Sequence, residues 1–336
     1  MVRIAVDAMG GDHAPAAIVD GAVAAARHLD AQIALVGAAA PVAAALASHA
    51  DWRDLNIEVV DAPDVIAMSE PPAAALRRKP GASIRVAADR VARGEAAAIV
   101  SAGHTGAAVI AAYSAFGTIP GVDRPALATT IPTRSRPAVL LDAGANVECR
   151  PQHLLQFAIM GSVYARVSLG LSSPRVGLLS IGEEESKGNE LTREAHRLLK
   201  TSSLGFIGNV EARDVYSGEA DVIVCDGFTG NVALKISEGL VDTVEALLSE
   251  ELSSTFAMRV GSLLTRRALR HFRRRLDYSE YGGAPLLGVA GVAIVGHGRS
   301  SALAVRNAVA MAHRFASDRF IQRVEREIAA APVSHQ

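Results

Sequence analysis

Side chains able to do chemistry gather in this chain on glycine-rich segments that follow short apolar runs. The segment Asp221-Val-Ile-Val-Cys-Asp226-Gly-Phe-Thr-Gly-Asn231-Val-Ala-Leu-Lys235 shows the pattern most fully. Its apolar residues read as a buried strand, Gly227 and Gly230 permit a tight turn and close approach of a ligand, and an amphipathic helix is expected near Asn231, capped by Thr229 or Asn231. Such a turn aims unpaired N–H groups and the positive end of a helix dipole at one point, which is the chemistry of a phosphate or carboxylate seat. A βα turn with no ligand needs glycine and a cap as well, so the segment carries weight only together with others like it.

Five further segments share the pattern: Val2 to His13, Ala96 to Gly106, Ala138 to Asn146, Val176 to Asn189 and Val292 to Ser300. Ser101-Ala-Gly-His-Thr-Gly106 offers His104, which titrates near neutrality, and Thr105 as donors to phosphate or as acid–base groups; a polar loop packed on its neighbour explains them equally. Lys187, before Gly188 and Asn189, can pair with phosphate or with Glu183, Glu184 and Glu185. Asp7-Ala-Met-Gly-Gly-Asp12-His13 joins two carboxylates and an imidazole at a spacing that matches no metal motif. Gly296-His297-Gly-Arg-Ser300 sets a histidine, an arginine and a hydroxyl before a helix.

None of these loops is a Walker A lysine loop or a dinucleotide G-x-G-x-x-G in its proper context, and no G-x-S-x-G elbow occurs. Cys149 and Cys225 have no partners at metal spacing. Cys225, at a strand end beside Asp226, is a formal candidate nucleophile, although a small apolar cysteine in a buried strand accounts for it better. Many anion donors without a protein nucleophile suit a reaction in which phosphate itself attacks a carbonyl, which needs positioning and oxyanion stabilisation more than a protein base.

The elements that must position these groups alternate. Strands are expected at 2–7, 32–37, 57–60, 96–101, 127–131, 138–142, 175–181, 205–208, 221–225 and 292–296. Helices are expected at 15–28, 41–50, 83–93, after Thr105, and at 151–169, 189–200, 231–275 and 300–329. Residues 61–82, marked by Pro63, Pro71, Pro72 and Pro80, read as an exposed excursion, and the glycines from Gly282 to Gly291 as a loop or hairpin. The alternation predicts a three-layer α/β/α fold with a mostly parallel sheet, whose strand ends would bring all six loops to one edge. No Gly/Ser-rich linker divides the chain, so one α/β unit over 1–336 is expected, with a helical protrusion near 240–280.

Composition agrees with closely packed helices on a sheet: of 336 residues, 50% are hydrophobic, 4% aromatic and 21% charged, which argues against disorder. A net charge of −1 gives no global pull toward nucleic acid. No targeting segment is visible, and a soluble, cytoplasmic protein is expected. One segment is strongly basic: Arg266, Arg267, Arg270, Arg273, Arg274 and Arg275, with Leu269 and Phe272 among them, follow an apolar stripe of Leu252, Phe256, Val260, Leu263 and Leu264. It fits a solvated helix face, an anionic membrane surface or an acidic protein partner.

Nine blocks in order carry a resemblance to a known family. They are DAMGGDHAP (7–15), SAGHTGA (101–107), LLDAGAN (140–146), QFAIMG (156–161), GLLSIGEEESKGN (177–189), FIGNVEARD (206–214), VCDGFTGNVALK (224–235), EYGGAPLLGV (280–289) and GHGRS (296–300). The chain resembles the PlsX family of bacterial phosphate acyltransferases. The resemblance implies a fold like those of isopropylmalate dehydrogenases and phosphotransacetylases, and transfer of a fatty acyl group from acyl carrier protein to inorganic phosphate. It also implies an acyl phosphate product for a membrane-bound glycerol-3-phosphate acyltransferase, no organic cofactor, a homodimer, and association with the inner face of the cell membrane. In the second block His104 stands where the family usually has asparagine; both donate a hydrogen bond, and only the amide adds a carbonyl acceptor.

The roles expected of single residues follow from their chemistry. Gly227, Thr229, Gly230 and Asn231, with Asn189, would cradle phosphate, and Lys187 would supply counter-charge. His104 and Thr105 would donate to the oxyanion or to phosphate, and Asp12, His13 and His297 would orient. A metal-dependent oxidative decarboxylase of the same fold would need a carboxylate cluster and a nicotinamide site, and neither pattern is present. A non-catalytic lipid-surface scaffold would leave the glycine loops without a purpose.

Overall fold

The computed structural model describes residues 1–254 and 282–330. The alternation of apolar runs and alanine-rich amphipathic stretches becomes an alternation of strands and helices. The first elements are β1 (Val2–Asp7), α1 (Ala16–Ala26), β2 (Ala31–Gly37), α2 (Ala39–Leu46), β3 (Ile57–Asp61), α3 (Pro72–Arg78), α4 (Ser83–Ala92), β4 (Ala98–Ser101), α5 (Thr105–Phe116) and β5 (Ala126–Ile131). Then follow β6 (Ala138–Leu141), α6 (Pro151–Leu169), β7 (Arg175–Ser180), α7 (Glu190–Thr201), β8 (Gly205–Glu211), β9 (Val222–Val224) and α8 (Gly227–Ser253). After residues 255–281 come β10 (Ala284–Leu287), β11 (Val292–Val295), α9 (Ala302–Ser317) and α10 (Phe320–Ala330).

All eleven strands form one sheet in the order β3-β2-β1-β4-β11-β10-β5-β6-β9-β7-β8. The strands β3, β2, β1, β4 and β11 are mutually parallel, and so are β6, β9, β7 and β8. Between the two sets, β11–β10, β10–β5 and β5–β6 are antiparallel. Three reversals leave the second set running opposite to the first, so the expectation that all six loops share one edge is corrected. The loops after β1, β4 and β11 form one group, and those after β6, β7 and β9 another.

Helices cover both faces of the sheet. One face packs against α1, α2, α6, α7, α9 and α10 through residues such as Ile18, Leu46, Phe157, Leu199, Phe315 and Val324. The other packs against α3, α4 and α5 in the first half, and Leu234 of α8 reaches the apolar clusters of both halves on this face. The single helix expected over 300–329 is two helices, because Arg319 adopts φ 53 between α9 and α10 and interrupts the i→i−4 ladder. The stretch from Gly282 to Gly291 includes β10, which forms an antiparallel pair with β11 as a hairpin would. The basic run Arg266, Arg267, Arg270, Arg273, Arg274 and Arg275 lies outside the described residues, as does the outer part of the expected protrusion.

Candidate active site

In the first half, three loops interlock through glycine. Gly10 and Gly103 meet back to back, so that a Cβ on Gly10 would stand 2.7 Å from Gly103 N. Gly11, at φ +107, brings its chain under the β11–α9 loop, where Asp12 N–H donates to Gly298 O at 2.7 Å. Asp12 and His13 are both exposed at this rim. Beneath the loops lies Asp7, only 3% exposed, which accepts from Ser101 Oγ at 2.6 Å and Met9 N–H at 3.3 Å. Ser101 Oγ in turn accepts from Gly103 N–H at 3.1 Å.

These contacts present the amino terminus of α5. His104 occupies the cap position in extended conformation and makes no side-chain cap bond. The first intrahelical bond is Ala108 N–H to His104 O at 3.0 Å. The N–H groups of Thr105, Gly106 and Ala107 therefore have no partner among the described residues. His104 Nδ1 is shut off from solvent, also without a partner, while Thr105 is exposed. A helix start with open donors and no acidic cap is an anion site in waiting.

The second half uses the same materials differently. Asp142, fully buried, accepts from the N–H groups of Leu127 (2.9 Å), Gly144 (3.1 Å), Ala145 (3.0 Å) and Asn146 (2.7 Å), and from Asn146 Nδ2 (2.8 Å). The β6–α6 loop is thereby wrapped around one carboxyl group. Asn146 O then accepts from Gly227 N–H at 2.7 Å, which joins the loop to the start of α8. Gly230 packs directly on the Asp142 backbone, where a Cβ has no room.

The start of α8 departs from expectation. The helix begins at Gly227, and its cap is Asp226, which accepts from Thr229 N–H and Thr229 Oγ1, each at 2.8 Å. A carboxylate there satisfies an orphan N–H and opposes the helix dipole, so it wins over Thr229 or Asn231 as the cap. Of the expected cradle, Gly227 N–H is held by Asn146 O, Thr229 N–H by the Asp226 carboxylate and Gly230 N–H by Asp226 O. Phe228 N–H is left open among the described residues. The exposed Asn231 side chain makes no hydrogen bond among them and faces Gly144, whose Cβ position lies 3.4 Å from Asn231 Cβ.

Helix α8 starts in the second group and carries charged side chains toward the first. The half-buried His297 of the β11–α9 loop lies in the field of Lys235 and Glu238 of α8, and of Arg299 and Asp12. Burial first, then Lys235, lowers its pKa from 6.5. Its Nδ1 accepts from Arg299 N–H at 3.2 Å, so the proton of the neutral ring resides on Nε2.

The loop from Gly182 to Asn189 is held elsewhere. Asn209 Nδ2 donates to Gly182 O at 3.2 Å and Glu184 O at 3.0 Å, Glu185 pairs with Lys200 at 2.7 Å, and Glu183 pairs with Arg213 at 3.9 Å. Lys187 is exposed and makes no ion pair among the described residues. The Asn189 side chain is used as the α7 cap, accepting from Thr192 N–H at 2.9 Å. Cys225 is 3% exposed and burial pushes its thiol well above the ordinary value, while Cys149 is pushed up to about 12; both shifts disfavour the thiolate. Sequence reasoning named Asp7 only as one of two carboxylates near His13 and gave Asp142 and Asp226 no role of their own. The signal was present, since each is an aspartate that ends or follows an apolar strand before a glycine.

A sheet of two strand directions, covered by helices on both faces and bordered by glycine loops, defines a three-layer α/β/α protein. Solved structures of the same architecture include a phosphotransacetylase from Streptococcus pyogenes (TM-score 0.61, 17% identity, 94% of each chain) and the EutD phosphotransacetylase from Staphylococcus aureus (0.57, 18%, 94% of each). They bear out the three-layer α/β/α, phosphotransacetylase-like fold. The family described as "Fatty acid synthesis protein" matches residues 2–323. A phosphate acyltransferase from Geobacter sp. (strain M21) is 50% identical, covering 94% of this chain and 89% of its own, and one from Nitratidesulfovibrio vulgaris (strain DP4) is 51% identical, covering 97% and 95%. The chain belongs to this family, the PlsX phosphate acyltransferases.

Proposed function

We propose that the protein transfers a fatty acyl group from acyl-acyl carrier protein to inorganic phosphate. A phosphate oxygen attacks the thioester carbon, the C–O bond forms, and the tetrahedral oxyanion collapses with loss of the phosphopantetheine thiolate, leaving acyl phosphate. The observation that carries this reading, beside family membership, is the open start of α5: three N–H groups and His104 converge with no acidic cap. Phosphate sits there, on Thr105, Gly106 and Ala107 N–H, and His104 is the donor to the oxyanion. Asp12, His13 and His297 are orienting groups at the rim, and Lys187 supplies at most distant counter-charge. The test is release of free carrier thiol from a long-chain acyl carrier protein. Release should require phosphate and yield acyl phosphate; equal release without phosphate would refute the reading.

A specific surface supports the homodimer. Along α8, Phe228, Val232, Ile236, Leu240, Val244 and Leu247 form an apolar stripe at helical spacing, with Ile236 67% and Leu240 62% exposed. We take a second copy as its cover. Light scattering should give the mass of two chains, and Ile236→Glu with Leu240→Glu should give the mass of one; an unchanged mass would remove the stripe from the interface. Among the described residues no helix is long and apolar enough to cross a membrane. Peripheral attachment at the inner membrane face, beside the membrane-bound glycerol-3-phosphate acyltransferase that would consume the product, is proposed from the basic run Arg266 to Arg275 and the family resemblance.

A further inference from the structure

The amino terminus of α5 can hold an anion only if its N–H groups keep their direction, and the residues just before it would not do this alone. Gly103 has no side chain to pack, and His104 makes no cap bond. Their direction is set from below. Gly103 N–H donates to Ser101 Oγ at 3.1 Å, and Ser101 Oγ donates to Asp7 Oδ2 at 2.6 Å. The other oxygen of the same carboxyl accepts from Met9 N–H at 3.3 Å, and the Ser83 hydroxyl reaches the group as well. Gly10 lies so close above that a Cβ there would stand 2.6 Å from Asp7 Oδ2. One buried carboxyl therefore ties the β1–α1 loop, the β4–α5 loop and the start of α4 together.

We propose that Asp7 is a positioning residue for phosphate: acting through Ser101, it locks the approach to α5 so that the Thr105, Gly106 and Ala107 N–H groups face the cleft. The proposal rests on the α5 seat described above. Asp7 touches no substrate in this scheme. Its burial at 3% exposure, for a carboxyl group with no basic partner within its hydrogen bonds, is costly, and the hydrogen bonds it accepts from Ser101 and Met9 are what offset that cost.

Asp7→Asn and Ser101→Ala, singly and together, test the lock, with hydrogen exchange of the 105–107 amides measured with and without inorganic phosphate. In the wild type phosphate should slow exchange at these amides. In either variant that protection should disappear and kcat/KM for phosphate should fall about a hundredfold, as a small misplacement of binding groups can produce. KM for the acyl donor and the melting temperature should stay near wild type, and the double variant should be no worse than the worse single. Equal protection in wild type and variants would overturn the lock. So would a double variant whose loss is the product of the single losses, or a fall shared equally by both substrates with a lowered melting temperature. Absence of protection in the wild type would instead remove the α5 seat itself, and the proposal with it.

Discussion

At the start of α8 the Asp226 carboxylate occupies the place an anion would take, accepting from Thr229 N–H and Oγ1. At the start of α5 the same position holds His104, and three N–H groups remain open among the described residues. Both helices follow a strand of a parallel pair, and both stand near a buried aspartate, Asp142 or Asp7. Even the strand ends correspond: Asp7 lies opposite Ser101 and, one step past Leu141 and Val224, Asp142 N–H donates to Cys225 O at 3.0 Å. What differs is the charge of one cap residue. An acidic cap closes a helix start to anions and stabilises it; a histidine leaves it open at some cost in stability.

Converting one terminus into the other gives the largest expected effect. His104→Asp would cap α5 as Asp226 caps α8, and kcat/KM for phosphate should fall by about a hundredfold or more, as expected for a negative charge placed where the substrate binds. The melting temperature should hold or rise. Retained phosphate kinetics in this variant would place the anion elsewhere and make the comparison one of capping alone.

The reverse change is smaller. Asp226→Ala removes the α8 cap and should cost about 1 kcal/mol in a urea titration. Phosphate KM should change little, since the Gly227 N–H remains held by Asn146 O. A strong gain in phosphate affinity would show that α8 is a second seat, masked by its own carboxylate. Smallest of all, Cys225→Ser should keep its turnover. Its buried thiol donates to Asp142 O at 3.6 Å, and no acyl group should be found on the protein by mass spectrometry during turnover. An acyl thioester at Cys225 would end the direct mechanism.

Much of the fold was legible because apolar runs such as Ala98–Ser101 and Val292–Val295 are buried strands of a doubly covered sheet, which need no alternation of polar residues. The start of α8 was misread because Gly227 and Gly230 have the composition of a turn. In the fold they are helical, and glycine is required there by packing: Gly227 lies against Asn146 and Asp142, and Gly230 against the Asp142 backbone. The sheet is mostly parallel as read, but its division into two edges was missed for a related reason. Nothing local to Ala126–Ile131 or Ala284–Leu287 states which neighbours they meet, yet their antiparallel pairings decide which loops share an edge.

Local chemistry, read along the chain, determined the strands and helices, the glycine loops after the strands, the absence of a recognisable protein nucleophile and the family blocks that span nearly the whole sequence. Tertiary structure decided which of those loops keep backbone donors open among the described residues. An N–H group is open or closed according to whether some other part of the chain supplies an acceptor. At Gly227 that acceptor is Asn146 O, whereas at Thr105, Gly106 and Ala107 none arrives among the described residues. Because a backbone donor is satisfied by whatever the fold brings to it, the openness of a helix start belongs to the assembled molecule.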